Sequence, residues 1–177
     1  IFYLTAKSSG KESANVALKN INKFDEFLSY IIITSKEKIC FCDKRNCNPD
    51  ECMYAKGYYS KIKTIIKYAL LNYHAFDYSL ITSLAKEYQI CPFEFELDLS
   101  LFLDVVVCDY NYLFDPVSYM KRYFDEDSSH YLALVDEAHN LVDRSRDMYS
   151  EDISMSLFLK ARKSIRKTQL RKLKTNF

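Results

Sequence analysis

The chain of 177 residues is 49% hydrophobic, 15% aromatic and 28% charged, a composition that excludes disordered and fibrous classes. With only 2 glycines and 3 prolines it has almost no material for a glycine-rich phosphate cradle. The formal net charge of +1 hides a segregation: residues 153–177 carry eight lysines and arginines and no acid, whereas the residues before them carry 17 basic and 24 acidic groups, so the basic end is suited to a polyanion or an acidic neighbour.

Ile1 to Thr5 is a short apolar run that reads as a buried strand, Glu12 to Asn22 suits a crossover helix, and Tyr30 to Thr34 reads as a second buried strand. Strand, helix, strand implies a parallel sheet. From Lys36 to Asp50 the pattern becomes charged and cysteine-rich, with a turn signal at Asn48-Pro49-Asp50. A helix is predicted over Met53 to Leu71, where Tyr58, Ile62, Ile65, Ile66, Ala69 and Leu70 share a face and Lys56, Lys61, Lys63 and Lys67 lie largely outside it. A second is predicted over Asp77 to Tyr88, and a short third after Cys91-Pro92. Asp104 to Cys108 is a buried strand, Asp115-Pro116 can start a helix, and His130 to Val135 is the last strand, leading into Asp136-Glu137-Ala138-His139 and further helical sequence. The expected fold class is α/β: a parallel-sheet core from residues 1–35 and 103–150, a mainly helical, cysteine-bearing insertion at 36–102, and a helical tail over 151–177.

No stretch approaches the roughly 18 to 20 apolar residues of a membrane span, and Ile1 to Lys7 lacks the features of a signal peptide. A cytoplasmic, monomeric protein with no membrane partner is expected. A first residue other than Met, within an apolar run, suggests a piece of a longer protein. Six cysteines in a reducing compartment suit ligands or core positions better than disulfides.

Two constellations carry chemistry. Asp136 and Glu137 follow a strand, where the carboxyl ends in an open α/β sheet border the ligand crevice; two acids there can hold Mg²⁺ and position a water, although an acid before a helix also serves as a plain N-cap. The second constellation is Cys40, Cys42, Cys47, Cys52 and Cys91. Four residues separate Cys42 from Cys47 and Cys47 from Cys52, and thirty-eight separate Cys52 from Cys91. This is not the paired C-x-x-C knuckle of most structural zinc sites, and it suits an iron-sulfur cluster better. Cys108, inside a Val-rich strand, reads as a small buried hydrophobe.

Their order along the chain resembles one family. Lys38-Ile39-Cys40, the run from Cys47 to Tyr59 and Ile90-Cys91-Pro92-Phe93-Glu94 resemble the cluster-binding segment of iron-sulfur superfamily-two DNA helicases of the XPD/DinG type. The run from Asp104 to Pro116 resembles the stretch before motif II in that family, Asp136 to His139 its Walker B motif (motif II), and Tyr3 to Ser8 its motif Ia. The resemblance implies a partial RecA-like motor domain of an ATP-dependent 5′-3′ DNA helicase, a 4Fe-4S cluster on Cys40, Cys47, Cys52 and Cys91, and a basic tail that begins the helical arch domain. Cys42 is an alternative to Cys40 as the fourth ligand. By motif, Asp136 would meet Mg²⁺ and ATP, Glu137 would orient the hydrolytic water, and His139 would link nucleotide state to the DNA side.

Single-stranded or forked DNA is the implied partner. Thr5, Lys7 and Ser8 follow a strand, where hydroxyls and a lysine can hold phosphates, and Lys56, Tyr58, Tyr59, Lys61 and Lys63 interleave basic and aromatic groups as a strand track would. The same tyrosines could instead pack the insertion. One departure bears on activity: Gly10-Lys11 is followed by Glu12 and position 5 is Thr, so no G-x-x-x-x-G-K-[ST] loop is present and the chain alone is expected to be inactive. The competing reading is a non-enzymatic, metal- or cluster-stabilised nucleic-acid-binding module.

Overall fold

The computed structural model describes residues 1–24, 28–43, 46–118, 120–124 and 131–167. Their apolar runs form one parallel sheet of five strands: β1 (Phe2–Leu4), β2 (Tyr30–Ile32), β3 (Ala75–Phe76), β4 (Val105–Cys108) and β5 (Ala133–Val135), in spatial order β3-β2-β4-β1-β5. β1 pairs on one side with β4, Phe2 opposite Val106 and Leu4 opposite Cys108, and on the other with β5, Phe2 opposite Ala133 and Leu4 opposite Val135. Every residue of β4 is buried, which is why its sequence is an unbroken apolar run. Helix α1 (Ser8–Ile21) makes the crossover from β1 to β2, packing Ala14 and Leu18 against Tyr30, Val105 and Val107. The Tyr30 hydroxyl is satisfied by donating to Asn15 Oδ1 at 3.1 Å.

Between β2 and β4 lie α2 (Lys36–Ile39), α3 (Tyr58–Asn72), α4 (Tyr78–Tyr88) and α5 (Pro92–Ser100). α3 buries Tyr58, Ile62, Ile65, Ile66 and Ala69, as the periodicity predicts, but starts five residues later than Met53. Gly57 takes a left-handed conformation at φ 69° just before it, which breaks the helical path back towards Cys52. α4 is capped by Asp77, whose carboxylate accepts from the Leu80 N–H at 3.0 Å. The segment also supplies β3, which adds to the outer side of β2 with Tyr30 opposite Ala75 and Ile31 opposite Phe76. Two residues are too few for a periodic signal, and the sequence did not show this strand.

α6 (Asn111–Phe114) follows β4. The helix expected from Asp115-Pro116 does not form among the described residues: the Asp115 carboxylate accepts from the N–H groups of Val117 and Ser118 at 2.8 and 2.9 Å, closing a turn before a 3-10 turn at Lys121–Tyr123. The strand expected over His130 to Val135 forms at its last three residues as β5, an edge strand with Leu134 47% exposed; His130 lies outside the described residues. A 3-10 turn, Ala138–Asn140, ends this first compact unit, Ile1–Asn140. The second unit, Leu141–Phe177, contains α7 (Leu141–Met148) and α8 (Met155–Lys167) among its described residues; α8 carries Lys160, Arg162 and Lys163. No helix among the described residues is long and apolar enough to cross a membrane.

A carboxyl group is sealed inside the first unit. Glu96 of α5 is 0% exposed, and both its oxygens accept from the Thr34 N–H at 3.1 Å, just past β2. Nearby, the Lys11 ammonium donates to the Ile33 carbonyl at 2.7 Å. Burial pushes the Glu96 carboxyl well above the carboxylate range, opposed by the Thr34 N–H and by Lys11. An acid raised in the fold binds more protons folded than unfolded between its ordinary value of 4.5 and its raised one, so its contribution to stability falls as pH rises through that interval. Glu96→Gln removes the titration while keeping an oxygen for Thr34. The variant should gain stability relative to the parent as pH rises from 4.5 towards neutrality, measured by denaturant unfolding at successive pH values; a constant difference between the two proteins across that interval contradicts the assignment.

Candidate functional site

Asp136 sits one residue beyond β5, half-buried, where the sheet ladder continues: its N–H donates to the Leu4 carbonyl at 2.9 Å. Two side chains hold it further. The Thr5 hydroxyl donates to Asp136 Oδ2 at 3.1 Å, and the Tyr110 hydroxyl donates to the Asp136 carbonyl. Glu137 is next, at φ 53°, a left-handed conformation uncommon for a residue with a side chain. It turns its carboxylate between two exposed side chains, with Lys7 Nζ 3.6 Å from Oε1 and His139 Nε2 3.4 Å from Oε2. The structure therefore brings together Asp136, Glu137 and His139, all three acid-tetrad residues predicted, at the carboxyl ends of β1 and β5.

The five clustered cysteines line a cavity of about 220 Å³, together with Phe41, Pro49, Tyr54, Pro92 and Phe93. Cys91 is the N-cap residue of α5, Cys40 follows α2, and Cys42, Cys47 and Cys52 come from the loop ahead of α3. Cys42 Sγ lies 3.8 Å from Cys52 Sγ, and the Cys40 thiol donates to the Cys42 carbonyl at 3.7 Å. Burial and then the Cys52 and Cys40 thiols push Cys42 up to about 11; burial also raises Cys91. The Lys36 ammonium, held above its ordinary range chiefly by a hydrogen bond with Cys47, sets a positive charge at the rim. Among the described residues no three Cys, His, Asp or Glu side chains converge tightly enough to hold a single metal ion.

A larger open cavity, about 1290 Å³, is lined by the chain just after β1, β2 and β4 and by the starts of α3 and α5; Ser8, Lys11, Lys36, Lys38, Tyr59, Phe93, Tyr112 and Arg122 contribute. Arg122 joins these elements, donating to Asp98 and, at 3.1 Å, to Glu94 Oε2, while the Tyr58 hydroxyl donates to Asp98 Oδ2 at 2.8 Å.

A family model described as DEAD_2 matches residues 9–158. The chain belongs to the DEAD_2 family. It is 30% identical over 118 residues to the Fanconi anemia group J protein homolog of Gallus gallus, an alignment that covers 64% of this chain and 9% of that protein. The solved structure described as truncated XPD is similar in fold, with a TM-score of 0.58 at 17% identity, covering 92% of this chain and 47% of that one. This chain thus spans less than half the length of both, and its expected kinship with XPD-type superfamily-two helicases and its parallel-sheet α/β fold are borne out.

In this DEAD_2 chain the residues expected to meet DNA divide. Lys7, Ser8, Lys56, Tyr59, Lys61 and Lys63 are exposed, Tyr59 at 85%. Thr5 and Tyr58 are not placed as expected: Thr5 is 1% exposed with its hydroxyl on Asp136, and Tyr58 is buried against α5 with its hydroxyl on Asp98. Lys7 and Tyr59, close to them in sequence, are exposed, and which of these side chains turns inward is not revealed by residue type alone. Gly10, Tyr110 and Arg122 were missed. Gly10 had a usable signal, being one of just two glycines and placed within α1, where it has no turn to make.

Thiol reactivity follows exposure and thiolate fraction. Cys47 is exposed, Cys42 is half-buried and pushed up to about 11, and Cys108 is buried within β4 and pushed up, mainly by burial, to about 12. In reduced, metal-free protein at neutral pH, iodoacetamide should modify Cys47 first, Cys42 more slowly and Cys108 only on unfolding, as read by peptide mass spectrometry over time. Labelling of Cys108 as fast as Cys47 is incompatible with this arrangement.

Proposed function

We propose that the chain forms part of the first motor domain of an ATP-dependent DNA helicase that moves 5′ to 3′ on single-stranded or forked DNA and carries a 4Fe-4S cluster. The observation that carries this reading is the junction of β1 and β5, where motif Ia and the Asp-Glu-Ala-His tetrad meet at one end of a parallel sheet. Asp136, fixed by backbone and side chain, is suited to holding a hydrated Mg²⁺, and Glu137, more exposed, to orienting the attacking water. His139, in contact with Glu137, is placed to report the state of that carboxylate towards the strand side. Bound Mg²⁺ supplies neutralisation of phosphate charge. The phosphate loop absent here would have to come from the rest of a longer protein, which acts as a monomer in this reading.

The cluster assignment rests on donor chemistry. Five thiols open on one cavity, yet they do not gather round one point as a tetrahedral zinc site requires; thiolates spread round a larger space suit a multi-iron cofactor. Cys40, Cys47, Cys52 and Cys91 would hold it, over an insertion at 36–102. Bound there, the cluster cross-links the loop before α3 to the start of α5. For DNA, exposed Lys7, Ser8, Lys56, Tyr59, Lys61 and Lys63, with Lys36 and Lys38 at the large cavity, offer charge and a stacking ring. The basic helix α8 would begin an arch domain.

Anaerobic purification with iron analysis and visible absorbance tests the cluster. Cys91→Ser should lose iron and colour while Cys108→Ser keeps both; the reverse pattern refutes the ligand set. Alanine at Lys56, Lys61 and Lys63 together should weaken single-strand binding and flatten its salt dependence, each lost phosphate contact reducing the log-log slope by about 0.7. Unchanged affinity and slope would remove these lysines from the strand's course. In the full-length protein, Glu137→Gln should abolish DNA-stimulated hydrolysis yet retain nucleotide binding, and parental turnover in that variant rules out the role of Glu137.

A further inference from the structure

Thr5 is the residue of motif Ia assigned to DNA that the strand cannot reach. It lies one position past β1 and is 1% exposed; its N–H donates to the Cys108 carbonyl at 3.0 Å and its hydroxyl to Asp136 Oδ2 at 3.1 Å. The residue opposite in the continuing register, Asp136, is fixed at its N–H by Leu4 and at its carbonyl by Tyr110. The backbone of Asp136 is therefore set by the sheet and by Tyr110, and among the described residues the hydrogen bond from Thr5 is the one that sets its carboxylate. The room for that hydroxyl comes from α1. A Cβ at Gly10 would lie 2.0 Å from Thr5 Oγ1, 3.0 Å from Thr5 Cβ and 3.1 Å from Asp136 Oδ2, so even a methyl group would displace the hydroxyl and crowd the carboxylate oxygen.

We propose that Thr5 and Gly10 act as positioning residues for nucleotide hydrolysis, Thr5 by orienting the Asp136 carboxylate and Gly10 by leaving space for the contact. This inference rests on the reading of Asp136 given above. A hydrogen bond to a carboxylate fixes which oxygen is turned away from the donor and limits rotation about the last side-chain bond, so its loss leaves Asp136 in place but spread over several orientations. The same contact gives Gly10 a purpose inside α1, where glycine otherwise weakens a helix.

The test uses the full-length protein with its phosphate loop and compares Thr5→Val, Thr5→Ser, Gly10→Ala and Asp136→Asn. Two quantities are read: the Mg²⁺ concentration that half-saturates binding of a fluorescent ATP analogue, and the rate of ATP hydrolysis. Single-stranded DNA affinity without nucleotide serves as the control. Thr5→Val, nearly the same shape without the hydroxyl, should raise the half-saturating Mg²⁺ and lower hydrolysis by about tenfold or more, the scale of a hydrogen bond to a charged group, with DNA affinity unchanged. Thr5→Ser should restore both. Gly10→Ala should reproduce Thr5→Val, because its methyl displaces the hydroxyl. Parental Mg²⁺ dependence in Thr5→Val, or Thr5→Ser as impaired as Thr5→Val, overturns the proposal. If Thr5→Val instead loses DNA affinity with Mg²⁺ dependence intact, Thr5 serves the strand and the proposal is likewise overturned. Asp136→Asn separates the two levels: parental hydrolysis in that variant defeats the reading of the site itself, whereas loss there beside a normal Thr5→Val defeats only this inference.

Discussion

The parallel ladder on both sides of β1 is the constraint from which the rest of the first unit takes its geometry. Its three residues bond to β4 on one side and β5 on the other, so the chain just past it, Thr5 to Ser8, leaves the sheet between the exits of the other two strands. Thr5 is consequently a neighbour of both Cys108 and Asp136, although each lies more than a hundred residues from it along the chain. A slip of one residue in either pairing would turn Leu4 out of the core and carry Thr5 away from Asp136. The site is accordingly as well defined as the sheet, because its carboxylate hangs from the ladder and not from a loop.

The cysteine-bearing segment is anchored to that sheet at three places of different chemistry. β3 extends the ladder, Glu96 clasps the Thr34 N–H at the end of β2, and Arg122 bridges the chain after β4 to Glu94 and Asp98 on α5. Tyr58 closes the set by tying the start of α3 to Asp98. The thiol-lined cavity lies between the starts of α3 and α5, so a change in its contents can reach the sheet through buried, directional contacts. Removing one partner of such a contact leaves a polar group unsatisfied, which costs more than the hydrogen bond itself contributed.

The sequence was legible where a signal was repeated or chemically unusual. β4 and the buried face of α3 stood out through runs and periodicity, and the Asp136 tetrad and clustered thiols through residue types that have few other uses in such places. What was hidden depended on partners distant in the chain. β3 exists because β2 has an open side, not because Ala75 and Phe76 announce a strand. β5 is exposed because nothing among the described residues covers its outer side, although its composition is that of a buried strand. Thr5 and Tyr58 carry groups suited to DNA, and each is instead turned inward by one carboxylate, Asp136 or Asp98, whose position only the fold supplies.

The sheet's order also sets a timetable. β1 finds its partners only in β4 and β5, the first of which begins about a hundred residues later, while the α1 crossover to β2 is local. At a synthesis rate of roughly 5–20 residues per second, β1 waits on the order of ten seconds as an unpaired apolar strand before β4 emerges. During that time β2 cannot shelter it, since β4 must lie between the two. The segment carrying the cysteines is translated within the same interval, so its helices and thiols are available before the sheet beneath them can close. A newborn chain of this topology therefore depends on whatever guards exposed apolar strands in the cell, and it exposes its cysteines to metal and oxidant at the stage when its core is least formed.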